Sequence, residues 1–365
     1  MKDSIIHLVR SNIKNCQPYQ SARRLGGNGE IWLNANECPL YHPFTTNITS
    51  FNRYPECQPK DLIASYADYV GLLNNQILVT RGADEGIELL IKAFCNPGED
   101  AIICCPPTYD MYAINANIAN IEIKEIPTFK HTWQIDLKNI QCHLNNVKLI
   151  YICNPNNPTG NIIARKDILT LLQVTLGFAL VIIDEAYIEF SAQDTMVSFL
   201  KDYPNLIILR TLSKAFALAG IRCGFTLANQ EIINILNKVI SPYPISTIVA
   251  DIAIQSLTKI AIIKMKDNVL RLNLNRHWLV HQLKKISLVK RIFDSHANYI
   301  LVQFHMFEKI FQNLWEKGII LRNQNHKINL NECLRISIGS YSECFRLIEE
   351  IKILENKYCS NTEVL

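Results

Sequence analysis

The sequence has little of what would send a chain out of the cell, into a membrane or onto a nucleic acid. Its amino terminus, Met1-Lys2-Asp3-Ser4-Ile5-Ile6-His7, has an early acidic residue and none of the sustained apolar core and cleavage signature of a secretory signal. The most apolar stretch, Leu171 to Ile183, is interrupted by Gln173, Thr175 and Gly177 and is too short to span a bilayer. We therefore expect a cytoplasmic protein. The net charge is only +4 and the basic residues are scattered, which excludes a nucleic-acid stripe or a polybasic membrane patch. The 12 cysteines form no CxxC pair, so they are expected to be reduced, semi-buried small hydrophobes, with no metal site among them. No proline- or glycine-rich tract breaks the chain. A composition that is 48% hydrophobic and 19% charged is that of a folded, water-soluble protein.

What is present is an alternation. At 365 residues the chain is long enough for one large and one smaller domain. From residue 76 onward, short apolar runs alternate with loops and helical stretches, the α/β signature. Strands are expected at Gln76 to Thr80, Ala101 to Cys104, Ile121 to Ile126, Val147 to Ile152, Leu180 to Ile183, Leu206 to Leu209 and Gly224 to Leu227. Such runs suit a central, mostly parallel sheet flanked by helices. Beyond Pro242 and Pro244 long helical stretches take over, with strands near Asn298 to Phe304 and Cys333 to Ile338 and a helix from about Ser342. This predicts a large domain over 51–284 and a smaller α/β domain over 285–365. The first 50 residues, which show little regular pattern, should pack on the smaller domain and reach the mouth of the site.

Four polar segments directly follow expected strands: Arg81-Gly82-Ala83-Asp84, Asn154-Pro155-Asn156-Asn157-Pro158-Thr159-Gly160, Asp184-Glu185-Ala186-Tyr187 and Thr211-Leu212-Ser213-Lys214. Parallel strands would gather these ends at one edge, where open α/β sheets bind ligands. Each segment alone is weak, since a post-strand Asp is usually a cap and an Asn-Pro loop usually a turn. Together they supply what a pyridine aldehyde cofactor, pyridoxal 5'-phosphate, requires. Lys214 offers an amine for an imine and Asp184 a carboxylate for the ring nitrogen. Tyr187 and Asn157 would donate to the ring oxygen, and Tyr109 is placed to stack on the ring. The phosphate would rest on the backbone N–H groups of Ala83 and Asp84 after Gly82, helped by Thr211, Ser213 and the guanidinium of Arg222.

With these residues in hand, the chain resembles the class-II pyridoxal-phosphate-dependent aminotransferases of fold type I, and within them the branch that acts on histidinol phosphate. The segment Ser-Lys-Ala-Phe-Ala-Leu-Ala-Gly-Ile-Arg at 213–222 is similar to the family's lysine signature, with Lys214 and Arg222 at matching places. The branch likeness is carried by Pro18-Tyr19-Gln20-Ser21-Ala22-Arg23-Arg24, Leu33-Asn34-Ala35-Asn36-Glu37, Arg53-Tyr54-Pro55-Glu56, Gly318-Ile319-Ile320-Leu321-Arg322 and Leu334-Arg335-Ile336-Ser337. The resemblance implies a homodimer in which Tyr54 reaches the cofactor phosphate of the neighbouring subunit. It also implies that Arg335 binds the anionic end of the substrate, with Arg322 and Tyr19 helping to hold its phosphate. The expected reaction passes the amino group of L-histidinol phosphate to 2-oxoglutarate, giving imidazole-acetol phosphate and glutamate by a ping-pong cycle within histidine biosynthesis. Two departures from the family pattern stand out, Cys38 after the Asn-Glu pair and Gly339-Ser340-Tyr341-Ser342 near the last helix. Competing readings are an aromatic aminotransferase or phospho-amino-acid decarboxylase of the same fold, which would share the cofactor residues. More remote is a regulatory binding protein, which would need a DNA-binding module that the span from Pro18 to Arg335 leaves no room for.

Overall fold

The computed structural model describes residues 5–14, 16, 29–41, 43–46, 48 and 50–359. Among these residues twelve strands fall into two sheets. In chain order they are β1 (Ile31–Leu33), β2 (Ile77–Thr80), β3 (Ala101–Cys104), β4 (Glu122–Glu125), β5 (Val147–Cys153), β6 (Leu180–Asp184), β7 (Leu206–Thr211), β8 (Gly224–Ala228), β9 (Val289–Ile292), β10 (Tyr299–Phe304), β11 (Ile319–Asn323) and β12 (Cys333–Ser337).

The larger sheet has the order β2-β8-β7-β6-β5-β3-β4. Its strands β4, β3, β5, β6 and β7 are mutually parallel, whereas β8 runs antiparallel to both β7 and β2. Residues of the central strands alternate between two apolar layers. Leu149 and Tyr151 of β5 pack with Leu78, Ile182, Ile207 and the helices Ala83–Phe94 and Met111–Ala119, while Ile150 and Ile152 pack with Val181, Ile183, Ile208 and the helix Arg165–Val174. A strand buried on both faces must be apolar at successive positions, which is why these strands read as continuous hydrophobic runs.

The second sheet has the order β1-β11-β12-β10-β9. Strand β1, from the part of the chain that showed little pattern, pairs in parallel with β11 through Ile31↔Ile319, Trp32↔Ile320 and Leu33↔Leu321. The last helix, Tyr341–Cys359, begins with a reciprocal cap in which Ser340 N–H donates to Glu343 Oε2 (2.7 Å) and Glu343 N–H to Ser340 Oγ (3.3 Å). The unusual Ser340-Tyr341-Ser342 therefore serves a helix start rather than the cavity. Among the described residues no helix is long and apolar enough to cross a membrane.

Candidate active site

The carboxyl ends of β3, β5, β6 and β7 share one edge of the larger sheet. Because β8 is reversed, its amino-terminal residues come to the same edge, next to the start of the helix Ala83–Phe94. Register fixes the centre: Asp184 at the end of β6 lies opposite Cys153 on β5 and Leu209 on β7. A cavity of about 490 Å³ opens there, between this edge and the second sheet. It is lined by Ala83, Asp84, Tyr109, Asn157, Asp184, Tyr187, Thr211, Ser213, Lys214, Arg222, Arg322 and Arg335, so most of the residues singled out from the sequence converge. Tyr54 does not: it is 80% exposed and stacks on Tyr243, ring centroids 4.5 Å apart. Tyr19 lies outside the described residues.

One end of the cavity is built for an anion. Gly82 precedes the helix with φ +76°, a conformation that suits glycine. A Cβ on Gly82 would stand 2.7 Å from Arg222 Nη2, and one on Gly224 would stand 2.4 Å from the Gly82 carbonyl carbon and 2.6 Å from Ala83 N. Gly224 thus lets β8 and the helix start touch backbone to backbone, and Gly82 leaves room for the guanidinium of Arg222. The first N–H groups of the helix have no intrahelical partner and face the end where the helix dipole is positive. Around them stand Arg222 and the hydroxyls of Thr211 and Ser213, which bond each other at 2.8 Å. Asp84 is an unexpected carboxylate in this setting, and its charge is engaged by Arg222 Nη2 (3.3 Å) and by the Tyr109 hydroxyl (2.9 Å).

At the centre, Lys214 Nζ donates to the carbonyl of Ala35 at 2.9 Å. Its pKa is lowered to about 8, first by burial and then by the positive charge of Arg335. Asp184 is the mirror case. Burial raises its pKa to about 6 against two opposing hydrogen bonds, from the Tyr112 hydroxyl to Oδ2 (2.7 Å) and from the Ala186 N–H to Oδ1 (3.0 Å). Beside it, a buried pair of charges ties the two strand ends together: Arg210, before Thr211, donates to Glu185, after Asp184, at 2.7 Å. Tyr187 Oη accepts from Asn36 Nδ2 at 3.0 Å, which leaves its own proton to donate.

At the far end the second sheet contributes arginines. Arg335 Nη1 donates to Asn157 Oδ1 and Nη2 to the Asn34 carbonyl, both at 2.6 Å, while the guanidinium lies 5.5 Å from the Tyr299 ring centroid. Since Asn157 Oδ1 is taken, the amide nitrogen of Asn157 is the group left for a ligand. Tyr299 in turn packs edge-on to Tyr187 at 5.0 Å and donates to the Asn156 carbonyl at 2.6 Å, joining the two sheets beneath the cavity.

Several residues that shape the site were not assigned from the sequence. Asn34, Ala35 and Asn36 lay in a recognised segment, but their contacts join residues far apart in the chain, Asn34 to Arg335 within the second sheet and Ala35 and Asn36 to Lys214 and Tyr187 on the side of the larger sheet, and leave no trace in local pattern. Tyr112 reads as an ordinary apolar position of its helix until the fold brings it under Asp184. Lys327, which also lines the cavity, reads as one of the scattered basic residues.

Fold and site together define a pyridoxal-type transferase, and comparison with known proteins agrees. The model of the aminotransferase class I and II family matches residues 30–351, so the chain belongs to that class. It is 73% identical to a histidinol-phosphate aminotransferase of Buchnera aphidicola subsp. Schizaphis graminum, over 96% of this chain and 99% of the relative. It is 54% identical to that of Escherichia coli O9:H4, over 96% and 98%. Within its class the chain therefore belongs to the histidinol-phosphate aminotransferase family. The crystal structure of histidinol-phosphate aminotransferase from Sinorhizobium meliloti in complex with pyridoxal 5'-phosphate shares the fold at a TM-score of 0.80 and 21% identity, over 95% of this chain and 98% of that one.

Proposed function

We propose that the protein transfers the amino group of L-histidinol phosphate to 2-oxoglutarate, using pyridoxal 5'-phosphate held in the cavity. The observation that carries this reading is a lysine of lowered pKa set between an anion cradle and a pair of arginines. The donor set fits the cofactor. Helix N–H groups, Thr211, Ser213 and Arg222 would take its phosphate, Asp184 its ring nitrogen, Tyr187 and Asn157 its ring oxygen, and Tyr109 would cover its face. When bound, the cofactor supplies an aldehyde that exchanges amines and a ring that accepts electrons.

The chain's own residues do the rest. Lys214, displaced by the donor, has a neutral amine in useful amount near neutral pH because its pKa is about 8. Its Nζ would take the proton from the donor Cα as base and, as acid, deliver it to the cofactor carbon rather than back to the donor. The Asp184 carboxylate, ionised at neutral pH, stabilises a protonated ring nitrogen. Arg335, with Arg322, holds the anionic end of the donor by charge-assisted hydrogen bonds, which sets Cα above Lys214. The keto acceptor uses the same arginine for its carboxylate in the second half of the cycle. In this reading the enzyme is a cytoplasmic homodimer. Exposed Tyr54 of each subunit would reach the cofactor phosphate of the other, and Tyr19 would help to hold the phosphate of the donor. Residues 51–284 form the cofactor-binding domain against 1–50 and 285–365.

The test is an assay of purified protein with histidinol phosphate, phenylalanine and O-phosphothreonine, each with 2-oxoglutarate. The first should be preferred, and negligible turnover of it would overturn the substrate assignment in favour of another enzyme of this fold.

A further inference from the structure

We propose that Lys327 is a specificity-determining residue, its ammonium binding the doubly charged end of the amino donor together with Arg322 and Arg335. The proposal rests on the reading above that the donor carries a phosphate.

Lys327 sits in the connection between β11 and β12, where two turns fix its backbone: its N–H donates to the Gln324 carbonyl (3.0 Å) and its carbonyl accepts from Leu330 (3.1 Å). Only 11% of its side chain is exposed. The side chain crosses from the second sheet to the segment after β3, where Nζ donates to the Thr108 carbonyl (2.7 Å) and pairs with Asp110 Oδ1. These two contacts bracket Tyr109. An ammonium has three N–H donors, so one remains for the cavity that Lys327 lines with both arginines.

The electrostatics point the same way. Burial lowers the pKa of Lys327, Asp110 opposes that, and Arg335 and Arg322 both add to the lowering, so the three cations feel one another. Holding like charges this close costs free energy, which a ligand of opposite charge recovers. A carboxylate is satisfied by one guanidinium fork, whereas a phosphate brings nearly two charges and three acceptor oxygens. Arg335 already spends two donors on Asn157 and Asn34. A third cation on the same wall is therefore what distinguishes a site for a dianion from one for a monoanion. Asp110 holds the ammonium in place and is also the carboxylate that an incoming dianion must face.

The experiment uses the cofactor-loaded enzyme and three variants, Lys327→Met, Lys327→Arg and Asp110→Asn. It reads kcat and KM for histidinol phosphate, the apparent Kd of unphosphorylated L-histidinol, and the inhibition constant of inorganic phosphate against whichever donor the wild type turns over. Lys327→Met should raise KM for histidinol phosphate and the phosphate inhibition constant about tenfold, the worth of one hydrogen bond to a charged group. It should leave kcat and L-histidinol binding within about twofold. Lys327→Arg should restore most of the loss. Asp110→Asn should move both phosphate readouts in the opposite direction, because it removes a repelling carboxylate. If Lys327→Met and Asp110→Asn instead weaken phosphorylated and unphosphorylated donors alike, the pair is only a strut for the Tyr109 segment and the proposal is wrong. Failure of the wild type to use histidinol phosphate would sink the functional reading separately, since phosphate inhibition still reports on Lys327.

Discussion

Replacing Lys214 by methionine should make the cofactor-free protein more stable at neutral pH. The side chain keeps its length and loses its charge. The pKa of Lys214 falls from 10.5 in the unfolded chain to about 8 in the fold, and each pKa unit corresponds to about 1.4 kcal/mol. Burying the cation therefore costs about 3 kcal/mol at any pH below the folded value. Two effects reduce the gain on removing it. Lys214 is only partly buried beside an open cavity, and the Ala35 carbonyl loses its donor, which costs about 1 kcal/mol. A net stabilisation of about 2 kcal/mol at pH 7 remains after these reductions. The sign of the pH dependence follows from a base whose folded pKa is depressed. Below about pH 8 both states carry the proton and the penalty is complete; between 8 and 10.5 the folded state sheds its proton first and the penalty is relieved. Urea unfolding of the cofactor-free wild type and variant, followed by tryptophan fluorescence at pH 7 and pH 10, reads this directly. The variant should lead at pH 7 and lose its lead at pH 10. A wild type that is as stable as the variant at pH 7, or a difference that does not change with pH, would refute the reasoning. With cofactor bound the order should invert, because only the wild type gains the stabilisation of a covalently held ligand.

Asp184→Asn keeps the contact with Tyr112 but removes the charge that, on the proposed mechanism, would stabilise a protonated ring, so turnover should fall on the order of a hundredfold or more while cofactor is retained, as read by steady-state kinetics and bound-cofactor absorbance. The Tyr112 hydroxyl lowers the pKa of Asp184 against burial, so Tyr112→Phe should shift the acid limb of the pH–rate profile upward; an unshifted limb would separate Tyr112 from the chemistry. In Gly224→Ala the new Cβ meets backbone of Gly82 and Ala83 at 2.4 and 2.6 Å, which no side-chain rotation can relieve. We expect a loss of about 1–3 kcal/mol in unfolding free energy and faster loss of cofactor on dialysis.

The parts of this fold that were legible in the sequence are those whose burial is uniform. Strands β3, β5, β6 and β7 are covered on both faces, so apart from exposed Lys148 and the polar carboxyl-terminal residues Asp184, Arg210 and Thr211 their positions are apolar, and their ends can be read to within a residue or two. By contrast, β9 (Val289-Lys290-Arg291-Ile292) is an edge strand with its middle residues exposed, and β1 contributes three residues to the opposite edge. Neither has a long enough apolar signature to stand out, and pairing with a distant partner is what makes each a strand. The site divides along the same line. Lys214, Asp184, Asn157 and the Gly82 turn follow directly on legible strands, and their chemistry is local to short motifs. The groups that tune them are not local. Asn36 bonds Tyr187 across 151 residues, Asn34 bonds Arg335 across 301, and Tyr112 reaches Asp184 across 72.

That division has a physical cause, which is also the reason the site needs two sheets. The larger sheet supplies one edge with an amine, a carboxylate and an anion cradle, and the cradle exists only because β8 runs backwards and brings Arg222 and Gly224 to the carboxyl ends of its neighbours. Such an edge can hold a cofactor but has no wall opposite it against which to orient a donor. The second sheet provides that wall. Its Arg335 is held by acceptors from both halves, Asn157 on the cofactor side and Asn34 on the strand-β1 side. Arg335 therefore cannot take up its position unless β1, β12 and the loop after β5 are all assembled. On the proposed mechanism the distance from this arginine to Lys214 decides which Cα meets the base, and the edge-on packing of Tyr187 against Tyr299 joins the two sheets that carry them. Specificity in this molecule is thus a property of the interface between its two sheets, whereas the capacity for amino transfer is a property of one sheet edge.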